Sequence, residues 1–575
     1  MRKRWNIQKH DRQTIAKLAA ELGVAPIIAA LLAARGFSGV EAAHNFLNPS
    51  FEQIHEPTLL KGMQAAVERI LQAIERKEQI LVWGDYDVDG TTGTVVLRKA
   101  LELVGAQTKF HVPHRFREGY GLNQPELERA RNEGCSLVIS VDCGTTAFEP
   151  LAWASENGLD VIVTDHHLPK ENKLPRAVAV INPNQADCQY PNKDLAGVGV
   201  AFKLAHALLR ARNRENLVKS FLKVVAIGTI ADLMQLGGGE NRSIVALGLR
   251  DLPNAKNLGL RALMEVAGCT AEMTAYEIGF RLAPRINAAG RMDAARTIVE
   301  LFEETDFEKA RDLAFALDER NRERQEMQRR ITDLAISEVA AGASHSFSHF
   351  VVVAGENWHR GVIGLAAAKI VEKLHRPAIV ISLEKDFGHG SARSIKPYHL
   401  LNGLESCQEL CEQFGGHAQA AGMQIRRENI ADLRLKLNEH ARSNLSSSDL
   451  IPEIRIDAVL TGKSLNQELV GELKRLEPFG MGNPRPTFVT KDLVLASDPL
   501  VMKEKHYKLR LIDAAHNQFE AVWWNGVEQN GDLTPLLLRA NQKIDVAYTP
   551  EINVWNQSRR LQLNVADVRS ANSQE

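Results

Sequence analysis

From residue 62 to about residue 236, helical and extended segments take turns, and no other feature of the 575-residue chain restricts its fold as tightly. Apolar periodicity predicts helices at 63–75, 93–104, 126–132, 148–156 and 199–211. Extended segments fall at 80–83, 109–112, 137–141, 161–164 and 178–181. The strands are short runs rich in Val and Ile, as expected of strands buried on both faces. Strand and helix in alternation imply a mostly parallel sheet covered on both sides. In such a sheet, ligands collect at the carboxyl ends of the strands.

The polar residues lie at those ends. Strand 80–83 runs into Asp85-Tyr-Asp87-Val-Asp89-Gly90. Side chains two apart on an extended backbone point the same way, so three carboxylates are expected to converge on one small volume. Buried together they repel one another unless a cation neutralises them, and a divalent metal does so most simply. The spacing matches the first half of an EF-hand loop, but the preceding segment is strand-like and the twelfth position is Val96, not Glu. A solvated acidic turn accounts for one or two of these aspartates, not for three at the mouth of a buried strand. Asp142 follows strand 137–141, Asp165-His166-His167 follow strand 161–164, and Asp232 in Gly228-Thr-Ile-Ala-Asp232 is a fourth candidate. Oxygen-rich ligation with one or two imidazoles suits Mn²⁺ or Mg²⁺ better than structural zinc. Two such ions bridged by a carboxylate suit in-line attack on a phosphoester.

Composition excludes other classes. With 44% hydrophobic and 25% charged residues the chain reads as an ordinary soluble protein, long enough for about three to five domains. No apolar segment follows Met1-Arg-Lys-Arg-Trp5, and the run 24–34 is too short to span a bilayer, so a cytoplasmic location and no membrane partner are expected. Six cysteines form no disulfide framework or zinc-type pairing, and Cys407 and Cys411, one helical turn apart, are expected to pack. At a net charge of −1, any nucleic-acid binding needs local positive potential.

The remaining chain divides by pattern. Residues 1–62 read as a helical packing extension and 63–250 as the α/β metal-binding domain. Residues 251–342 form a helical connector ending in one long helix, 306–340, that is polar nearly all round between 318 and 330. Such a helix acts as a solvated bridge steadied by i,i+4 pairs such as Asp318 with Arg322 and Glu326 with Arg330. Its arginines form either a solvated face or the lining of a nucleic-acid channel. Residues 343–448 restart a smaller α/β pattern, in which loops 390–394 and 415–416 can bring backbone N–H groups to a phosphate beside Arg393 and His417. Residues 449–575 carry about five short alternating strands, which suit an OB-type barrel. Lys503, Lys505, Lys508, Arg510, Arg559 and Arg560 supply charge there. Tyr507, Trp524 and Trp555 serve either as base-stacking or as core residues.

Asp85-Tyr-Asp-Val-Asp-Gly90, Ser140-Val-Asp-Cys-Gly144, Asp165-His-His167 and Gly228-Thr-Ile-Ala-Asp232 resemble the first four motifs of the DHH phosphoesterase superfamily. Pro113-His-Arg-Phe-Arg-Glu-Gly-Tyr-Gly121, Leu195-Ala-Gly-Val-Gly-Val200 and Arg281-Leu-Ala-Pro-Arg-Ile-Asn-Ala-Ala-Gly-Arg291 resemble its RecJ family of single-strand-specific exonucleases. Trp358-His-Arg-Gly-Val-Ile-Gly364, Gly390-Ser-Ala-Arg-Ser394 and Phe414-Gly-Gly-His-Ala-Gln-Ala-Ala-Gly422 resemble that family's DHHA1-type domain. The resemblance implies two Mn²⁺ or Mg²⁺ ions held by Asp87, Asp89, Asp142, His166 and Asp232, with Asp89 or Asp142 as the bridge. Asp85 then joins the ligands, orients one or touches phosphate, and His167 takes a catalytic role by orienting a ligand or touching phosphate. It also implies substrate contacts from Arg115, Tyr120, Arg285, Asn287, Arg291, Ser391, Arg393, Gly416 and His417, in which Arg115 and Arg393 hold the terminal phosphate and Tyr120 stacks on a base. The activity implied is stepwise removal of nucleotides from the 5′ end of single-stranded DNA in recombination and repair. A slot between the two α/β domains too narrow for a duplex would give strand selectivity. The chain would act as a monomer, with a single-strand-binding protein and a helicase as partners. Two other readings compete. A hydrolase of short oligoribonucleotides or cyclic dinucleotides needs only the two α/β domains, and a non-catalytic strand-binding scaffold predicts eroded ligands where none is eroded.

Overall fold

The computed structural model describes residues 3–115, 117–269, 272–292, 294–341, 348–530, 538–555 and 558–571. The chain forms two compact units. One comprises Arg35–Arg322 with Arg475–Arg485, the other Met1–Ala34, Glu323–Lys474 and Pro486–Glu575. These units cut across the segments expected from sequence, because residues 1–62 divide at Ala34 and residues 475–485 leave the C-terminal segment.

The first unit is built on a five-stranded, wholly parallel sheet, in the spatial order Gln107–His111, Gln79–Gly84, Cys135–Val141, Asp160–Thr164, Ala179–Ile181. The first strand in the chain is therefore second in space, and the winding reverses between it and Cys135–Val141. In doubly wound sheets that reversal opens the ligand crevice. Val82, Ile139 and Ile162 on these strands are fully buried. Helices Val88–Leu103, Gly197–Ala211 and Leu222–Ala231 bury most of their residues against the sheet and one another. Helix Val88–Leu103 starts five residues earlier than its apolar periodicity predicts. Asp87 caps it by accepting from the Gly90 amide at 3.0 Å, so Val88 and the polar residues after it form its first turn.

Buried Arg242 fastens Arg475–Arg485 into the same unit. It donates to Phe46 O (2.7 Å), Leu476 O (3.1 Å), Glu477 O (2.7 Å) and Pro478 O (3.3 Å) and stacks on the Phe46 ring at 3.6 Å. Burial, then the Arg35 charge, lowers its pKa to about 9.

The long helix is Phe307–Ala341, one unbroken element whose residues up to Arg322 belong to the first unit and the rest to the second. Arg322 pairs with Asp318 at 2.7 Å as the spacing predicts, whereas the expected ion pair between Glu326 and Arg330 is not among those formed by the described residues.

In the second unit, a mixed sheet runs Cys411–Gly416, Ala420–Arg426, Phe387–Arg393, Ala378–Glu384, Val351–Glu356. The glycine-rich segments 390–394 and 415–416, expected as loops, lie largely in its antiparallel strands, because Gly390, Ser391 and Ala392 pair with Met423, Gly422 and Ala421. Cys411 opens a strand instead of following Cys407 on a helix. All five strands expected near the C-terminus are present, at Phe488–Leu495, His506–Ile512, Gln518–Trp523, Lys543–Trp555 and Ser558–Ser570. Pairing of the first with both the second and the fourth closes a ring in which the third and fifth run parallel, as in an OB barrel. The N-terminal segment, expected as helices and loops, begins with strand Arg4–Ile7, which pairs with Glu453–Ile456. Among the described residues no single helix is long and apolar enough to cross a membrane.

Candidate metal centre

The three aspartates converge, but not as alternate residues of one strand. Asp85 follows strand Gln79–Gly84, Asp87 caps the next helix and Asp89 lies in its first turn. A tight strand-to-helix turn therefore brings them together. Asp142 follows strand Cys135–Val141 with a left-handed φ of 63°, and its amide donates to Thr164 O at 2.9 Å. Asp165, His166 and His167 follow strand Asp160–Thr164. Asp232 ends helix Leu222–Ala231, not a strand. Its carboxylate thus sits at the negative end of the helix dipole, where a cation is favoured.

At this centre three groups of described residues each bring their ligand atoms within 4.8 Å of one another: Asp85, Asp87 and Asp142; Asp89, His166 and Asp232; Asp142, His166 and His167. Asp142 belongs to two of them. His166 Nε2 lies 3.1 Å from Asp142 Oδ1, 3.6 Å from Asp232 Oδ2 and 3.8 Å from Asp89 Oδ2. Asp89 accepts from the Gly197 amide at 2.6 Å and the Val198 amide at 2.7 Å, at the positive end of helix Gly197–Ala211. Gly197 has to be glycine, since a Cβ there would lie 2.6 Å from Asp142 Oδ1.

The electrostatics call for positive charge. Burial, then repulsion from Asp87, raises the pKa of both Asp85 and Asp232 to about 7. Asp89 and Asp142 are driven well above the carboxylate range, first by burial and then by Asp232 and Asp89 respectively. Buried Asp85 Oδ1, Asp142 Oδ1 and Asp232 Oδ2 each lack a hydrogen-bond donor. Buried acceptors without donors are costly, and a divalent ion satisfies carboxylate oxygens in this arrangement. Burial, then the neighbouring His167, lowers His166 to about 4, which keeps its imidazole neutral and fit to ligate. His167 differs. Burial opposes its charge, but a 2.7 Å hydrogen bond to Asp165 raises it to about 9. Asp165 falls to about 2 despite its burial, through hydrogen bonds from His167 and Thr145.

The sequence singles out Asp165 only as part of the Asp165-His166-His167 cluster, with no role of its own, and does not single out the asparagines behind it. Asn184 Nδ2 donates to His166 O at 2.6 Å and Asn182 Nδ2 to His167 O at 2.8 Å. Both asparagines come just after strand Ala179–Ile181, so their place at a fifth strand end was the available signal.

A pocket of about 350 Å³ opens over the carboxylates, lined in part by Tyr86, Arg115, Tyr120, Asn287, Gly290 and Arg291. Arg115 rests on the Tyr86 ring, 4.9 Å from its centre. Tyr120, half exposed, donates through its hydroxyl to Asp142 O at 3.0 Å. Gly290 lets helix Ala283–Arg291 approach closely, because a Cβ would fall 2.2 Å from Tyr86 O. Arg285 does not line the pocket. It pairs instead with Asp318 at 2.7 Å and donates to Arg281 O. Tyr86 and Gly290 were missed from sequence because only the fold packs one against the other.

In the second unit, Ser391, Arg393, Gly416 and His417 gather at one end of the mixed sheet. Gly364, in helix Arg360–Leu374, packs close beneath them, where a Cβ would lie 2.8 Å from Ser391 Oγ and 3.3 Å from Arg393 Nη2. On the barrel, Trp524 is half exposed and edge-on to His506, whereas Trp523 is buried beside Tyr507. The Trp555 side chain lies outside the described residues.

Comparison with known proteins accounts for this architecture. Three family profiles match: DHH family, N-terminal domain, at residues 79–229; DHHA1 domain at 347–443; and RecJ OB domain at 456–567. The single-stranded-DNA-specific exonuclease RecJ of Bacillus subtilis is 39% identical, over 98% of this chain and 70% of that protein. The Haemophilus influenzae protein of the same name is 34% identical, over 90% and 92%. The crystal structure of RecJ in complex with Mn²⁺ from Thermus thermophilus superposes with a TM-score of 0.83 at 29% identity, covering 100% of this chain and 80% of that one. The chain belongs to the RecJ family of single-stranded-DNA-specific exonucleases.

Proposed function

We propose that this chain is a metal-dependent exonuclease that hydrolyses the phosphodiester bonds of single-stranded DNA, working from the 5′ end in recombination and repair. One observation carries the proposal: seven acidic and imidazole groups from four parts of the fold meet around three donorless carboxylate oxygens beneath an arginine-lined pocket. The names of the relatives, and of a structural neighbour in complex with Mn²⁺, support it. Polarity rests on the family resemblance alone.

In this reading Asp85, Asp87 and Asp142 would hold one Mn²⁺ or Mg²⁺, and Asp89, His166 and Asp232 the other, with Asp142 Oδ1 3.1 Å from His166 Nε2. When bound, such ions make a water nucleophilic at neutral pH and neutralise the scissile phosphate. The chain's own groups do the rest. Helix Gly197–Ala211 holds Asp89 through two amides, and the Tyr120 hydroxyl fixes the carbonyl of left-handed Asp142. Arg115 and Arg291 offer guanidinium groups to the strand's phosphates, Asn287 offers an amide, and half-exposed Tyr120 offers its ring to a base. His167, charged through Asp165, places a hydrogen-bond donor beside them. In the second unit, Ser391, Arg393, Gly416 and His417 supply a separate phosphate-holding group. A monomeric state, residence in the cytoplasm, and partnership with a single-strand-binding protein and a helicase belong to the same proposal and rest on the sequence reading alone.

The test is digestion of a single-stranded oligonucleotide labelled at either end, with Mn²⁺, beside a blunt duplex. Immediate release of labelled mononucleotide from the 5′ label, with the duplex spared, is expected. Immediate release from the 3′ label reverses the polarity, and no release from either end refutes the activity.

A further inference from the structure

Tyr276 and Phe280 are among the most exposed large side chains of the first unit, at 53% and 69%. They stack on each other with ring centres 4.7 Å apart and planes 27° apart. An i,i+4 aromatic pair on a helix is worth only a few tenths of a kcal/mol to that helix. Keeping two aromatic faces in water is therefore poorly explained by local stability, and exposed apolar surface of this kind marks a binding site.

The location of the pair indicates what binds. Residues 275–291 form one continuous helical run, opened by a Thr274–Glu277 capping box. Tyr276 lies in its first turn. Phe280 lies in a π-helical turn, Ile278–Leu282, of the kind often found at functional sites. Asn287 and Arg291, at the other end, line the pocket over the carboxylates. Eleven residues separate Phe280 from Arg291, about 16 Å along a helix. That is roughly five stacked nucleotides at about 3.4 Å each, and fewer if the strand is extended. The aromatic pair thus shares one helical run with residues of the proposed substrate pocket and lies within reach of the same strand. Aromatic faces bind single strands by stacking on bases, with little regard to sequence. The nearby acid Glu277 is held in the capping box by the Thr274 amide and hydroxyl.

We propose that Tyr276 and Phe280 form a base-stacking platform for the single strand, within about five nucleotides of the bond that is cut. The proposal rests on the exonuclease reading for its substrate, so its test is binding rather than turnover. The full chain is titrated in EDTA against a fluorescein-labelled single-stranded 20-mer, and against 20-mers with one abasic site stepped inward from the attacked end. Tyr276→Ala/Phe280→Ala is expected to weaken binding of the intact strand roughly tenfold. The wild-type chain should show a loss of affinity at one or two abasic positions near the end, and the variant should lose that position dependence. Tyr276→Phe/Phe280→Tyr should restore both. Equal affinity and the same abasic profile in wild type and double-alanine variant overturn the platform, including the case where the pair serves a protein partner. With Mn²⁺, a dinucleotide too short to reach the pair should be cut equally by both proteins. A matched loss on dinucleotide and 20-mer overturns the platform in favour of a structural role. If wild type cuts nothing but binds with the expected profile, the exonuclease reading falls while the platform stands.

Discussion

At the residue scale, Asp142 is the most informative position. Its left-handed φ of 63° favours Asn over Ala as a probe, because Asn tolerates that conformation and removes only the charge. Asp142→Asn is expected to fold normally and lose more than about 100-fold in kcat with Mn²⁺, since even groups that merely orient metal ligands are worth about 10- to 100-fold. Near-normal turnover would remove Asp142 from the centre. The raised carboxyls also predict how stability depends on pH. With Asp85 and Asp232 at about 7, the metal-free fold retains protons that the unfolded chain releases above about pH 4. Protons bound preferentially to the fold stabilise it at low pH, so this contribution is lost as pH rises from about 4 to 7. The Mn²⁺-induced rise in Tm over EDTA-treated protein should therefore be larger at pH 8 than at pH 5.5. Equal rises at both would contradict a carboxylate centre that exchanges protons for metal.

At the scale of elements, two close packings place the pocket. Helix Ala283–Arg291 reaches Tyr86 only because position 290 has no side chain. Gly290→Ala must displace either the helix or the Asp85–Asp87 turn, and an error of about 1 Å in placing catalytic groups costs about 100-fold. A large loss of kcat in a protein whose Tm stays within a few degrees of wild type is expected, and unchanged kcat would show that the contact does not matter. In the second unit, strand pairing carries Arg393 and Ser391 to the sheet end beside Gly416 and His417. Arg393→Ala should raise KM about tenfold or more on strands with a terminal phosphate, because hydrogen bonds to charged groups are worth about 1.5–3 kcal/mol. Equal KM on phosphorylated and hydroxyl ends would remove that role.

At the scale of the whole molecule, the boundary of the C-terminal region matters. Deleting 452–575 looks from sequence like removal of a strand-binding barrel, but it also removes Arg475–Arg485 from the first unit. Buried Arg242 would lose its acceptors at Leu476, Glu477 and Pro478. Leaving such a charge uncompensated costs about 3–5 kcal/mol. Deletion from 487 onward spares that segment. The longer deletion should thus lower the Tm of the first unit well below that of the shorter one, while the shorter should weaken binding of long strands more than turnover of short ones. Equal Tm values for the two truncations would show that the Arg242 contacts are dispensable.

Much of this protein was legible in its residues. Buried Val and Ile runs between helical segments dictate a parallel sheet, and polar residues after those runs must collect at one edge of it, which brings Asp85, Asp142 and His166 together without coordinates. The five barrel strands follow equally from local alternation. What only the tertiary structure decided is non-local. Asp87 and Asp89 reach the centre by starting a helix, which strand periodicity cannot express. Asp232 arrives on a helix C-terminus, Asp165 orients His167, and Arg285 turns away to Asp318, because partners far apart in the chain determine each side chain's direction. Periodicity specifies the face of an element. Contacts between distant residues decide which of its side chains enter the site.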